Sequence, residues 1–267
     1  YRPGIWYLNP YLNDTDPSYI SQGNSELDSE KSHAFNLSYS NFTQKFNINL
    51  SARYSFTNNS IENVTKLMPD TEIEGLKNPT GKDVLYSTYA NIGKTRRASV
   101  SAYVNWNATP RTRIYMNMSG DYSYMEGSEG MRNDGWSLFA YGGAQQTLPH
   151  DWRISLNVFG QTPWIMLQGK GSSFFDYGLS VNKSFLNKRL TLSAFASNFF
   201  KKYMDQSSTT EGAGFIRESS YKYSRQRFGI SVSYRIGELK ASVKKAARTI
   251  SNDDVKSGGS GSGGGGE

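Results

Sequence analysis

Residues Arg225 to Gly237 read RQRFGISVSYRIG. From Phe228 to Ile236 the alternation is unbroken: Phe228, Ile230, Val232, Tyr234 and Ile236 share one parity, and Gly229, Ser231, Ser233 and Arg235 the other. Successive side chains of a strand point to opposite faces, so this segment predicts a strand with a wholly apolar face and a polar one. In a soluble sheet the apolar face would cover a core. In an outer-membrane barrel it would meet lipid, and the polar face a wet or plugged interior. The stretch fits both, and the rest of the chain decides.

The bulk composition narrows the choice. The chain has 267 residues, 36% of them apolar, and a mean hydropathy of −0.62. No run approaches the roughly eighteen apolar residues of a transmembrane helix, which excludes a helical membrane protein. A β-barrel survives this test, because alternation halves the apparent hydrophobicity of a spanning strand. Aromatics reach 14%, including 18 Tyr and 5 Trp, as interfacial girdles require. The absence of cysteine rules out disulfides and thiolate metal sites. The net charge of +7 is dispersed, with no compact Lys/Arg cluster, so no nucleic-acid partner is expected. Tyr1-Arg2-Pro3-Gly4 is not a secretory signal, and the chain reads as one entered partway.

Along the chain, Tyr1 to Glu30 is rich in turn signals and reads as a large loop. Phe35, Leu37 and Tyr39 alternate with Asn36 and Ser38. After a turn at Thr43-Gln44-Lys45, the run Phe46 to Phe56 has the length of a tilted membrane strand. Thr57 to Lys82 reads as a long irregular segment. Val84 to Asn107 is extended, with a bulge expected at Gly93. Strands follow at Ile114 to Tyr124, Trp136 to Leu148, Trp152 to Val158, Phe175 to Val181, Leu190 to Ala196 and Phe228 to Ile236. The faces of Trp136 to Leu148 are not assignable, since Leu138-Phe139-Ala140-Tyr141 does not alternate. Glu126 to Gly135 and Lys201 to Gly214 read as loops.

The sum is about nine antiparallel strands whose connections are alternately short and long. That sorting is the outer-membrane pattern, with short turns periplasmic and long loops outside. A soluble β-sandwich has no reason to show it. The expected fold is therefore an all-β, antiparallel up-and-down transmembrane β-barrel, here partial, over residues 1–237. Residues 238–267, basic and then Gly/Ser-rich, read as a flexible, disordered periplasmic tail.

Several stretches resemble a known family: YRPGIWYLNPYLNDTDP, GNSELDSEKS, YANIGK, VNWNATPRTRIYMN, GAQQTLP, LQGKGSSF, FGISVSYRIG and SNDDVKSGG. They are similar to the C-terminal part of TonB-dependent outer-membrane receptors, and most similar to the outer-membrane β-barrel family of Bacteroidetes. The resemblance implies a barrel of about 22 strands with an N-terminal plug, through which an inner-membrane energy-coupling complex releases the bound nutrient inward. Plug, coupling box and the first half of the barrel are not in these residues. An odd strand count leaves unpaired edges in lipid, so the chain reads as the last strands of a longer receptor. The function expected is import of a ferric chelate, oligosaccharide or peptide; the alternative is a non-transporting adhesin or surface scaffold. The implied partners are outer-membrane lipid, the plug and the remaining barrel half, the energy-coupling complex, and the barrel-assembly machinery. Phe228, Ile230, Val232, Tyr234 and Ile236 would be the strand that this machinery reads.

Enzymatic motifs are absent: no phosphate loop, nucleophile elbow or zinc helix, and neither a cofactor nor a metal is expected. His33 and His150 lack ligand spacing. Asp121, Glu126 and Glu129 could form a carboxylate cluster but read more simply as lumen and loop residues. Asn36, Asn41 and Asn117 begin Asn-x-Ser/Thr triplets that only spell out a polar face. The ligand-binding candidates are the loop aromatics Trp6, Tyr7, Tyr11 and Trp164. Arg53, Arg113, Arg153 and Arg235, on the polar parity, are candidates for contact with a plug.

Overall fold

The computed structural model describes residues 1–237. One helical turn, α1 (Ile5–Leu8), precedes the strands. In chain order these are β1 (Asn13–Asp16), β2 (Tyr19–Ser21), β3 (Ser32–Phe42), β4 (Phe46–Pro69), β5 (Asp83–Thr109), β6 (Thr112–Glu126), β7 (Arg132–Leu148), β8 (Trp152–Gln161), β9 (Ile165–Met166), β10 (Gly169–Lys170), β11 (Phe174–Phe185), β12 (Leu190–Ser197), β13 (Tyr203–Gly212), β14 (Phe215–Ser224) and β15 (Arg227–Tyr234).

The wall runs β3-β4-β5-β6-β7-β8-β11-β12-β15, every neighbour antiparallel. Among the described residues the sheet is open: β3 pairs only with β4, and β15 only with β12. A smaller sheet, β14-β13-β10-β9, is built from two of the long connections. The short strand β2 lies parallel on β5, with Tyr19 opposite Leu85.

Paired residues share a face, so the register sorts the wall into two surfaces. One row runs Leu37, Ala52, Val100, Gly120, Leu138; a second runs Phe46, Trp106, Ile114, Ala144, Leu156, Leu179, Ala196, Phe228. The opposite surface carries Asn36, Arg53, Ser99, Asp121, Ser137 and, further along, Thr147, Arg153, Asn182, Ser193, Ser231. Polar groups there bond to each other: Ser51 to Ser101 at 2.6 Å, Arg113 Nε to Asn105 at 2.7 Å, Tyr115 to Asn157 at 2.5 Å.

Among the described residues nothing covers the apolar surface. Leu37, Val100, Leu138, Phe228, Ile230 and Val232 are each more than half exposed, and Leu50, Trp106, Ile114, Met116, Met118 and Leu156 more than a third. Leaving these dozen side chains half in water would cost roughly 10–20 kcal/mol. That equals or exceeds the net stability of a typical domain, about 5–15 kcal/mol. A lipid solvent removes the cost. Aromatic rows bound the band: Phe35, Tyr54, Tyr122 and Trp136 toward one end, Phe46 and Trp106 toward the other. On β5 these rows meet Ala98 and Trp106, about 26 Å apart along the strand, or about 20 Å along the normal at a tilt near 40°.

The buried core lies at the rim, outside this band. Ile20, Ile73 and Val84 form one cluster, and Met125, Ile165 and Leu167 another. Both belong to the end of the wall where the long connections gather; the other end is closed by the turns after β3, β5, β7 and β11.

Several sequence expectations need correction. The first half of the segment Thr57 to Lys82 is not irregular: β4 continues to Pro69 and pairs with the start of β5, past a bulge where Ser60 lies opposite Gly93, and only 70–82 is a loop. A Cβ on Gly93 would stand 2.1 Å from Ser60 Oγ, so the bulge requires glycine. The expected loop at Glu126 to Gly135 shrinks to one 3-10 turn, Ser128–Gly130, because β7 starts at Arg132. Lys201 to Gly214 holds β13 and the turn of the hairpin β13–β14. In β7 the rows are assignable after all: Trp136, Leu138 and Ala140 face outward in register with β6, Phe139 and Tyr141 inward. Large rings on both faces hide the alternation. The last strand ends at Tyr234, so Arg235 and Ile236 fall beyond its pairing. The tail expected at 238–267 lies outside the described residues.

Candidate functional site

The connection from β8 to β11 and the β13–β14 hairpin build the rim beside β7. Thr162 N–H donates to the Leu138 carbonyl at 2.9 Å, and Thr162 Oγ1 accepts from Leu138 N–H at 2.7 Å, so the segment runs on along β7. Asn133 Nδ2 then donates to the carbonyls of Met166 (2.7 Å) and Gly169 (2.8 Å). Gln168, buried, completes the attachment: its Oε1 accepts from Thr65 N–H at 2.7 Å and its Nε2 donates to the Thr65 carbonyl at 2.9 Å. β3 stops pairing with β4 at Thr57; beyond that point side chains bond the β4 edge instead, Glu30 at Ile61 N–H and the Gln168 amide at Thr65.

Beneath this rim the register converges aromatic rings on the polar face. Phe139 lies opposite Gln161, and Gln161 opposite Phe174. Phe139 and Phe159 meet edge to face at 5.3 Å, and Phe159 and Phe174 at 5.0 Å. Arg225 lies over Phe174, 4.1 Å from the ring centre, and its Nη1 donates to Asp176 Oδ2 at 2.8 Å. Asn198, almost fully buried, locks this pair. Its Nδ2 donates to Asp176 and to the Arg225 carbonyl, while its Oδ1 accepts from Tyr177 N–H. It sits at φ 49°, a left-handed conformation that asparagine tolerates better than most residues.

Two adjoining clefts result, of about 550 and 400 Å³, which share Gln161, Phe174 and Gln206 in their linings. Trp164 and Arg225 complete the smaller one. Gly171 backs the Trp164 indole so closely that a Cβ there would stand 2.0 Å from Cε2.

Of the aromatic candidates, only Trp164 lines this cleft. Tyr7 packs edge to face on Tyr89 at 4.7 Å, while Trp6 and Tyr11 are strongly exposed. Arg53, Arg113 and Arg153 sit on the polar face. No ion pair involves them among the described residues. His33 stacks on Phe56 at 5.1 Å, and the His150 carbonyl accepts from Lys183. Asp121, Glu126 and Glu129 are not brought together: Asp121 accepts from Ser99, Glu126 lies 4.0 Å from Lys94, and Glu129 lies 3.0 Å from Lys66. Sequence reasoning missed Phe159, Phe174, Gln161, Gln206 and Arg225. Their meeting is a matter of register and of a hairpin read as loop.

Two rim carboxyls are perturbed. Asp70 accepts from Thr80 N–H (2.6 Å), Thr80 Oγ1 and Gly81 N–H, and these bonds, led by the Thr80 amide, hold its pKa below the usual value. Burial pushes Glu62 up, against bonds from Ser60 and Thr95.

No curated protein matches the chain. Residues 1–234 match the model of the outer membrane protein beta-barrel family. With an unclosed all-β wall, an uncovered apolar face and a bonded polar face, the chain belongs to that family and its place is the outer membrane.

Proposed function

We propose that this chain is the C-terminal wall of a TonB-dependent transporter of the Bacteroidetes type, a barrel of about 22 strands that takes up a nutrient too large for porins. The observation that carries this reading is the open wall, with three arginines on its inner face that make no ion pair among the described residues. Both edge strands, β3 and β15, need partners if the sheet is to lie in lipid. Arg53, Arg113 and Arg153 line the inner face without acidic partners among the described residues. A remaining barrel half and a plug bearing carboxylates would satisfy both needs.

In this reading the folded rim faces the medium and the short turns face the periplasm. The chain then leaves β15 on the periplasmic side, and the free edge of β15 is what the assembly machinery engages. The energy-coupling complex acts through the plug. Deleting the inner-membrane coupler should abolish uptake and leave surface binding of the nutrient intact. Uptake unaffected by that deletion would refute the transporter reading; binding with no uptake in either strain would favour an adhesin or scaffold.

A further inference from the structure

The rim cleft also carries information about what it takes. Most polar side chains of the inner face are bonded to a neighbour, but the amides of Gln161 and Gln206 make no side-chain hydrogen bond among the described residues. They line the same cleft as Phe159, Phe174 and Trp164, one part of whose indole is backed by Gly171 while the residue stays 45% exposed. Phe159 and Phe174 meet edge to face and Arg225 covers Phe174, so the open flat surface is the Trp164 indole. Such a surface beside unspent donors and acceptors suits a ligand with a C–H face and a rim of hydroxyls.

Charge sharpens the choice. Arg225 is neutralised by Asp176 at 2.8 Å, and Lys201 of the adjoining cleft by Asp205 at 3.9 Å. The paired site presents no net charge, which disfavours a polyanionic ferric chelate. Resting on the transporter reading above, we infer that the cleft of Trp164, Phe159, Phe174, Gln161 and Gln206 seats a pyranose ring of a neutral oligosaccharide. The Trp164 indole takes the sugar's C–H face, Phe159 and Phe174 wall the cleft, and the two amides bond to adjacent hydroxyls.

The test uses the intact outer-membrane protein that contains this chain, purified in detergent. It is applied to an array of neutral oligosaccharides, to ferric citrate and to a mixture of short peptides. Correct folding of each variant is checked by its heat-modifiable gel mobility. The expected result is binding of at least one neutral oligosaccharide, weakened tenfold or more in Trp164→Ala and in the double variant Gln161→Ala/Gln206→Ala, and retained in Trp164→Phe. Binding of ferric citrate or a peptide that is lost in the same variants would overturn the assignment, as would no neutral sugar binding anywhere on the array. Sugar binding that all three variants leave unchanged would overturn it too. Coupler-dependent uptake of any nutrient, measured in parallel, keeps the transporter reading standing if the sugar assignment alone fails.

Discussion

Gln168 is the residue whose removal gives the most quantitative test of how the rim is held. Backbone N–H and C=O of one strand residue point the same way. Those of Thr65 point away from β5 to the Gln168 amide, and Thr65 is only 2% exposed. Gln168→Leu keeps most of the volume and deletes both bonds, leaving one buried donor and one buried acceptor without partners. Each such group costs about 1–3 kcal/mol, less if the segment shifts to admit water, so the pair amounts to about 2–4 kcal/mol. Local opening of the segment 162–173 from the β4 extension should then become roughly 30- to 1,000-fold more frequent. Hydrogen exchange read by mass spectrometry checks this. Peptides covering 63–67 and 162–173 should exchange faster by that factor, while wall peptides from β6 stay protected. Unchanged exchange at 63–67 would refute the claim that the Gln168 amide holds the β4 edge at Thr65.

Three further outcomes follow from the same physics. A carboxylate with a depressed folded-state pKa contributes stability above its unfolded value, about 3.9 for aspartate, and loses it as pH falls through the lower folded value. The loop 70–82 around Asp70 should therefore keep its exchange protection from neutral pH down to about pH 4 and lose it below, and Asp70→Ala should lack protection throughout. Glu62 is the opposite case: its raised pKa means the ionised form is disfavoured in the fold, so stability falls as pH rises through it. Glu62→Gln should slow exchange in 58–66 at pH 7 and match the parent near pH 4. Gly143→Ala would place a Cβ 2.4 Å from the Leu156 carbonyl oxygen and 2.6 Å from the Tyr115 hydroxyl. It should lower the yield of heat-modifiable, folded protein, whereas Ala144→Gly in the same strand should not.

What the sequence made legible follows from what water and lipid demand. Across β5, β6 and β15 one face must be apolar and the other polar, and the alternation of Val100 to Trp106, Ile114 to Met118 and Phe228 to Tyr234 records that demand directly. Outside the bilayer the demand lapses. The far half of β4 is covered by polar rim segments rather than lipid and buries polar Ser60 and Thr65 as well as Val64, and the β13–β14 hairpin is largely exposed or half-exposed. Asn58, Asn59, Ser207 and Ser208 therefore carry no apolar alternation, and β4's extension and β13 read as loops. The hairpin's Gly212-Ala213-Gly214 turn was the available cue. Trp164 stood out because it is a large ring in a long loop. Phe159 and Phe174 did not, because each looks like an ordinary strand residue until register sets them 5.0 Å apart.

The central claim is that one face of this wall meets lipid and the other an aqueous lumen. Single cysteines placed in turn at Arg113, Ile114, Met116, Asn117, Met118 and Ser119 on β6 test it directly. The chain contains no cysteine of its own, so each new thiol is unique within it. In native outer membranes a membrane-impermeant maleimide and a lipid-confined quencher of a thiol-attached fluorophore should report opposite patterns. The account predicts quenching by the lipid probe at 114, 116 and 118, and labelling from water at 113, 117 and 119. Equal access of the aqueous reagent to both sets, with no lipid quenching at 114, 116 and 118, would contradict it.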